Sequence, residues 1–381
     1  MPTSSLAFLR RLTNRLVGTG PWRIAPFDGI AAERTGELQA PVHRPESFVG
    51  VLCEEADSPV AYDCAHALLG QPALGETLDG SPRYRAYGLS PAEPKRLFTL
   101  TDAGIAGRDG VIYCIRTRTA VAETVRCWRQ PGIAHPLLGA FGFPRAQTLP
   151  GRSLSLATLD GEGFYHFLFE SLPRLWLARD FLARIDHVLV SGHRQAALEA
   201  WLARAGVAPE KLVWLDPLAH YRCDQLLFAN RPIRNYQPSP WLRHALHSLL
   251  PSPAATAAAP RWLWISRADA TRRHLQWEDE ILSHFPTFEK HTLGSTPPAA
   301  QQALFASATV VAGPHGAGLS NLIFAPAGVR LVEFFPDSHI QPLYSRVAQV
   351  SGGTAAWATV DFARPDRLEP LVAALRDFLS A

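Results

Sequence analysis

The stretch Thr309-Val-Val-Ala-Gly-Pro-His-Gly-Ala-Gly-Leu-Ser-Asn-Leu322 decides the fold class of this 381-residue chain. An apolar, β-branched run passes straight into a glycine-dense turn and then into a helical pattern, which is half of a parallel strand–helix–strand unit. Gly313, Gly316 and Gly318 admit unusual φ angles and close backbone approach. The helix that follows offers unpaired N–H groups and the positive end of its dipole, an anion site suited to a diphosphate. A dipole contact is worth about 0.3–1 kcal/mol, so holding a diphosphate ligand needs further donors. The spacing is not the dinucleotide fingerprint, and the Lys-Ser/Thr pair of a phosphate-binding P-loop is missing. On glycine alone, a tight turn of purely structural use competes evenly with the binding reading. His315 shifts the balance, because an imidazole at such a turn donates to a phosphate or to the nucleotide.

Outward from this stretch the alternation continues. Strands are expected at Arg261–Ser266, Thr309–Ala312, Arg330–Phe335 and Ala355–Val360. Helices are expected at Glu278–His284, Ala299–Ala308, Ser338–Val350 and Arg367–Leu379, with a helical turn at Ser320–Phe324. Such alternation implies a parallel sheet covered on both faces, with ligands at the carboxyl ends of its strands. The uncharged Pro251-Ser-Pro-Ala-Ala-Thr-Ala-Ala-Ala-Pro260 reads as a linker. It divides an N-terminal domain, 1–250, from a C-terminal one, 261–381, whose last helix could pack back on the first domain. The fold class is therefore α/β, with two Rossmann-like domains expected to face each other across a cleft. Residues 20–150, rich in Pro and Gly, read as strands and loops, for example Ser47–Cys53 and Val111–Thr117. Further on, Phe164–Leu182 reads as a helix kinked or broken at Pro173, His187–Ser191 and Leu212–Leu215 as strands, and Ala196–Ala205 as a helix.

Three more segments carry chemistry. In Trp262-Leu-Trp-Ile-Ser-Arg-Ala-Asp-Ala-Thr-Arg-Arg273, Arg267 follows a strand closely and should sit at the carboxyl edge of the sheet, with Arg272 and Arg273 one loop later. A charge-assisted hydrogen bond to phosphate is worth about 1.5–3 kcal/mol, so this is a candidate diphosphate clamp. The competing reading is a solvated arginine cluster. In Gly161-Glu-Gly-Phe-Tyr-His-Phe-Leu-Phe-Glu-Ser-Leu-Pro-Arg174, His166 and Glu170 stand four apart and share one helix face inside an apolar stretch. A partly desolvated carboxylate there could act as a general base, against a His–Glu pair of structural use only. Arg174 lies one turn along as a partner for Glu170. Finally, Glu333 is a lone acid at the end of an apolar strand, suited to ribose hydroxyls or to capping the next helix.

Composition removes several classes. With 47% apolar and 19% charged residues the chain buries a sizeable core, and a net charge of +3 falls far short of a nucleic-acid footprint. Only Lys95, Lys211 and Lys290 of the 37 basic residues are lysines. The arginine excess is explained first by a GC-rich bacterial genome, with phosphate or carboxylate recognition as the functional alternative. Five cysteines without a CxxC pair argue against a disulfide framework or zinc site and for buried thiols in a reducing compartment. His244 and His247 have no third metal partner, and Glu278-Asp-Glu280 reads as the solvated start of a helix. No apolar run reaches membrane-spanning length. The first residues, with Arg10, Arg11 and Arg15, do not read as a secretory signal. Leu6, Phe8, Leu9, Leu12 and Leu16 suit an amphipathic helix, packed on the domain or lying on a membrane surface.

In order, Gly163-Phe-Tyr-His-Phe-Leu-Phe-Glu-Ser-Leu-Pro-Arg174, Ser266-Arg267 with Arg272-Arg273, Gln302 through Asn321 and Val332-Glu333-Phe resemble glycosyltransferase family 61, over about Gly161 to Pro336. Many bacterial members of that family are described as capsular polysaccharide biosynthesis proteins. The resemblance implies a GT-B fold and inverting transfer from a nucleotide sugar, commonly UDP-linked, without an obligatory metal or other cofactor. It implies that His315, Gly316, Ala317, Gly318 and Leu319 line the donor nucleotide, that Arg267 binds the diphosphate with Arg272 and Arg273 nearby, and that Glu333 lies near the ribose. His166 and Glu170 match the family's N-terminal histidine and acid, and Glu170 is the candidate base. The implied partners are the donor and a glycan or lipid-linked saccharide acceptor, in the cytoplasm at the inner membrane face, with peripheral membrane association and no nucleic acid. Two positions depart from the pattern: His274-Leu-Gln-Trp-Glu278 lacks the asparagine of an Asn-Glu pair, and Gly163 stands where asparagine is frequent. A nucleotide-sugar epimerase and a non-catalytic nucleotide-sugar or glycan-binding assembly protein are the rival readings.

Overall fold

A computed structural model describes residues 23–25, 49–63, 65–70, 88–90, 92–115, 119–125, 145–233, 236–251 and 260–380. The expected N-terminal amphipathic helix and residues 252–259 of the expected linker lie outside them, as do Cys64 and Cys127. The chain divides into two compact units, residues 1–56 with 94–232 and residues 57–93 with 233–381.

The second unit is built on a six-stranded sheet, ordered Phe288–His291, Arg261–Ile265, Ala308–Pro314, Arg330–Phe335, Thr354–Thr359 and His66–Ala67. Every pairing in it is parallel. Leaving aside the edge strand His66–Ala67, the order is 2-1-3-4-5, so the winding reverses between Arg261–Ile265 and Ala308–Pro314. At such a switch point the connections leave in opposite directions and open a crevice at the carboxyl ends. The strands are near-continuous apolar runs because both faces are covered. Trp264, Val310, Ala312, Val332, Phe334, Ala356 and Ala358 form one core with Leu371, Val372, Leu375 and Leu379. Those four leucine and valine positions place one face of the helix Leu368–Ser380 on its own unit's sheet.

The first unit carries a nine-stranded mixed sheet. Leu212–Leu215, His187–Ser191, Gln147–Ser155 and His220–Ala229 run parallel. Beyond them Lys95–Ala106 pairs antiparallel with His220–Ala229, with Val49–Glu55 and with Val111–Cys114. Only part of this sheet therefore has the order expected of a Rossmann-like half. Its core gathers Phe98, Leu100, Ile105, Ile112, Leu189, Leu215, Leu226 and Phe228.

Three helices differ from expectation. Phe164–Leu182 continues through Pro173 by changing its winding: α at Phe164–His166, π at Phe167–Ser171, α at Pro173–Leu177 and 3-10 at Arg179–Arg184. Proline has no N–H for the carbonyl four residues back, and the wider π turn, closed by Leu172 N–H on the Phe167 carbonyl at 2.9 Å, absorbs that loss. The helix expected from Ser338 starts at Leu343, because Pro342 disfavours helical geometry at the residue before it. The segment after the glycine turn, Ala317–Phe324, is a 3-10 helix. No helix among the described residues is long and apolar enough to cross a membrane.

Gly313 carries the closest backbone contact at the switch point. Its φ is +154°, and a β-carbon there would lie 2.4 Å from the Ile265 carbonyl oxygen. Gly313→Ala should cost about 2–4 kcal/mol through backbone strain and overpacking. A urea unfolding curve should shift to a lower midpoint with an unchanged slope.

Candidate functional site

In the second unit, the strand Arg261–Ile265 delivers Ser266 and Arg267 to its carboxyl end, and Ala308–Pro314 delivers His315 and Gly316 beside them. The turn after the first strand is fixed from inside. Glu278 accepts hydrogen bonds from Trp264 Nε1 at 2.7 Å and from Ser266 Oγ at 2.5 Å, and Lys290 Nζ lies 2.9 Å from it. Glu278 is thus buried and structural, and only Asp279 and Glu280 of its run face solvent. A fully hydrogen-bonded buried carboxylate holds its donors in one geometry.

Arg267 is pinned by its own turn. Its Nε and Nη2 donate to the Arg272 carbonyl at 3.2 and 3.0 Å. Its Nη1 would lie 2.0 Å from a β-carbon at Gly316, so the guanidinium rests directly on the bare glycine. Arg272 contributes its carbonyl, while its side chain is exposed. Arg273 sits in left-handed backbone, φ +58°, and its charge acts on Arg267, His315, Glu333, His339 and Tyr344. Burial and the neighbouring Arg273 pull the Arg267 guanidinium below its ordinary value. Two adjacent, half-buried cations form a site that favours an anion.

Gly316 starts the 3-10 helix in extended backbone, and no side chain caps it. Ala317 and Gly318 are partly exposed, whereas Leu319 is fully buried and serves the core. His315 is 2% exposed and its Nδ1 lies 2.5 Å from Glu333 Oε1. Glu333, 1% exposed, therefore touches the imidazole rather than an open surface. Burial pushes the Glu333 carboxyl well above the usual carboxylate range, against the pull of Arg273. Burial first, then the charges of Arg273 and Arg267 and the competing titration of His339, push His315 well below the usual imidazole value.

His339 and Tyr344, not singled out in the sequence, complete this shell with ring centroids 5.2 and 5.1 Å from His315. Both fall in a stretch that reads as one amphipathic helix. The signal for a returning loop was the pair Pro336 and Pro342 on either side of His339.

In the first unit the His166–Glu170 pair forms as expected, with Nδ1 to Oε1 at 3.0 Å. The second Glu170 oxygen accepts from Thr158 Oγ1 at 2.9 Å. Thr158 follows the strand Gln147–Ser155 and is locked to Ser191, at the end of the neighbouring strand, by two hydrogen bonds of 2.9 Å. The pair thus stands at the carboxyl ends of parallel strands. Arg174 donates to the Ala157 carbonyl at 2.6 Å instead of to Glu170, and burial pushes its guanidinium down to about 10. Burial would raise the Glu170 carboxyl, but His166, Arg231 and the Thr158 hydroxyl together hold it below its usual value. Within the pair the imidazole is the more exposed partner, 17% against 3% of the side chain.

Of the histidine pair His244 and His247, the second is engaged elsewhere. His247 Nε2 contacts the Ile323 carbonyl at 2.9 Å. Among the described residues, no group of three or more His, Cys, Asp or Glu is placed to hold a metal ion.

Residues 164–332 match the family model described as Glycosyltransferase 61, and the match indicates a glycosyltransferase. The matched span opens on the helix of His166 and Glu170, includes Arg267 and the whole glycine turn, and stops one residue before Glu333. A comparison with curated proteins found no match to the chain.

Glu170 gives a pH-dependent stability of known sign. Its folded-state value is depressed, so its contribution is complete above the unfolded carboxyl value near 4.5 and fades as pH falls through the lower folded value. Unfolding free energies of wild type and Glu170→Gln should differ most at pH 6–7 and converge in strong acid.

Proposed function

We propose that the chain is an inverting glycosyltransferase acting on a nucleotide-sugar donor, with a UDP-linked sugar as the first candidate. The acceptor is a hydroxyl of a glycan or lipid-linked saccharide, in bacterial surface polysaccharide synthesis at the inner face of the cytoplasmic membrane. The reading includes a GT-B fold class and metal-independent chemistry. One observation carries it: a guanidinium clamped through two of its nitrogens, with the third laid on a glycine at the switch point of a parallel sheet.

In this reading Arg267 Nη1, Arg273 and the backbone of the turn 316–318 receive the diphosphate. They carry the charge that grows on it as the bond to the anomeric carbon breaks. Such preorganised donors do work that a divalent cation does elsewhere. His166 receives the proton of the acceptor hydroxyl as its oxygen forms the new bond to the anomeric carbon. Glu170 orients the imidazole and stabilises the imidazolium, a division of labour supported by the exposure of His166 and the burial of Glu170. The sugar inverts because the acceptor attacks opposite the leaving diphosphate, which departs with the electron pair.

Titration calorimetry with UDP, GDP, CMP and ADP should find one binding nucleotide, with the same affinity in EDTA. Arg267→Ala should weaken it about ten- to a hundredfold, the worth of one charge-assisted hydrogen bond. Gly316→Ala should weaken it too, by displacing Arg267, while leaving the melting temperature close to wild type. Binding of none of these nucleotides by the folded protein would defeat the donor-site reading. A second measurement addresses the base: His166→Ala should lower the turnover of a sugar donor by about a hundredfold or more while nucleotide affinity stays at the wild-type value.

A further inference from the structure

His315 and Glu333 are nearly solvent-free, 3% and 1% of their side chains exposed, and joined by a 2.5 Å hydrogen bond. Where the shared proton resides decides what the other imidazole nitrogen offers a ligand. If Glu333 is a carboxylate, Nδ1 carries the hydrogen and Nε2 presents a lone pair, which repels a phosphate oxygen. If Glu333 is the neutral acid, its O–H donates to Nδ1 and the hydrogen sits on Nε2, ready to donate to that oxygen.

We propose that Glu333 is a positioning residue held as the neutral acid, which fixes His315 in its Nε2–H tautomer and so makes it a donor to the diphosphate; this rests on the donor-site reading above. Three observations favour the neutral acid. The second Glu333 oxygen, Oε2, is buried with no hydrogen-bond partner among the described residues, a place where a charged oxygen would be left unsolvated. No group other than the His315 imidazole is hydrogen-bonded to the carboxyl among the described residues. The alternative, glutamate with imidazolium, would set a further cation beside Arg267 and Arg273.

The groups facing the pair come from every side. Arg267 and Arg273 come from the turn after the first strand, His339 from the loop after Phe335, and Tyr344 from the helix Leu343–Val350. The Phe335 ring lies 5.1 Å from the imidazole. Arg273 is the charge that draws Glu333 toward ionisation. The directions of both titrations, acid raised and imidazole lowered by burial, agree with a neutral pair.

The linkage has one sign. Diphosphate binding needs the hydrogen on Nε2, so affinity is full below the titration of Glu333. Above it affinity falls by about tenfold per pH unit, and each binding event takes up a proton. Glu333→Gln removes the titration but keeps a donor, since the amide N–H replaces the acid O–H at Nδ1.

The test has two parts. In ligand-free protein at pH 7, imidazole nitrogen NMR, with His315→Gln to assign the signals, should find the His315 hydrogen on Nε2. Calorimetry with UDP in two buffers of different ionisation enthalpy, from pH 6 to 10, should show wild-type affinity falling with proton uptake rising toward one. Glu333→Gln should flatten both curves and bind UDP more tightly than wild type at the alkaline end. A hydrogen on Nδ1, or a Glu333→Gln affinity below wild type at every pH, would overturn the proposal. If UDP binds to neither protein, the donor-site reading fails, and the nitrogen spectrum still decides the tautomer.

Discussion

Between Arg267 and Gly316 there is no room for a β-carbon. That contact ties together the ends of two strands that are neighbours in the sheet but not in sequence, and the rest of the second unit's site is arranged around it. Arg267 reaches the glycine only because its turn is folded back by the Arg272 carbonyl. That turn is in turn held by Ser266 on the buried Glu278. On the other strand, Gly313 lets the backbone run close to the Ile265 carbonyl, which brings His315 level with the guanidinium. Backbone at Arg272, Gly313 and Gly316 and the buried Glu278 side chain together fix the guanidinium, the arrangement that lets charged donors act without reorganising.

The first unit reaches the same end by other means. Among its described residues no glycine turn lies against an arginine. A row of neutral and charged hydrogen bonds leads from Ser191 through Thr158 and Glu170 to His166. Each member is held by the next, and only the last has an appreciable exposed surface. The π turn through Phe167–Ser171 places the acid within that row while the helix passes Pro173.

Much of the second unit was legible because its strands are short, apolar and cleanly separated by helices. Arg330–Phe335 has the expected bounds, and Arg261–Ile265, Ala308–Pro314 and Thr354–Thr359 differ from the expected strands by a residue or two at an end. Phe288–His291 escaped notice because an edge strand is half solvated, and Phe-Glu-Lys-His carries no apolar run. In the first unit, Lys95–Ala106, Gln147–Ser155 and His220–Ala229 were missed for a related reason. Polar residues in them, such as Thr99 and Gln225, are buried and bonded to one another or to strand neighbours. A hydropathy pattern cannot register a polar residue satisfied by a distant partner. At the site, residue types were legible and connections were not. His166 with Glu170 followed from helical spacing, but His315 with Glu333 depends on two strands being adjacent, which only the strand order supplies.

The strand order also bears on how the polypeptide is made. The second unit is assembled from residues 57–93 and 233–381, with the first unit's larger segment synthesised between them. His66–Ala67 pairs with Thr354–Thr359, and Gln349 exchanges hydrogen bonds with the backbone of Asp63 across 286 positions of sequence. A ribosome emits that edge strand long before the strand it completes. The early segment has to wait as an unpaired β-strand while most of the chain emerges. Closing so long a loop costs only slightly more entropy than closing a moderate one, so the delay is chiefly kinetic. Once made, Thr354–Thr359 is an open sheet edge until that pairing forms, the kind of surface on which newly made chains aggregate.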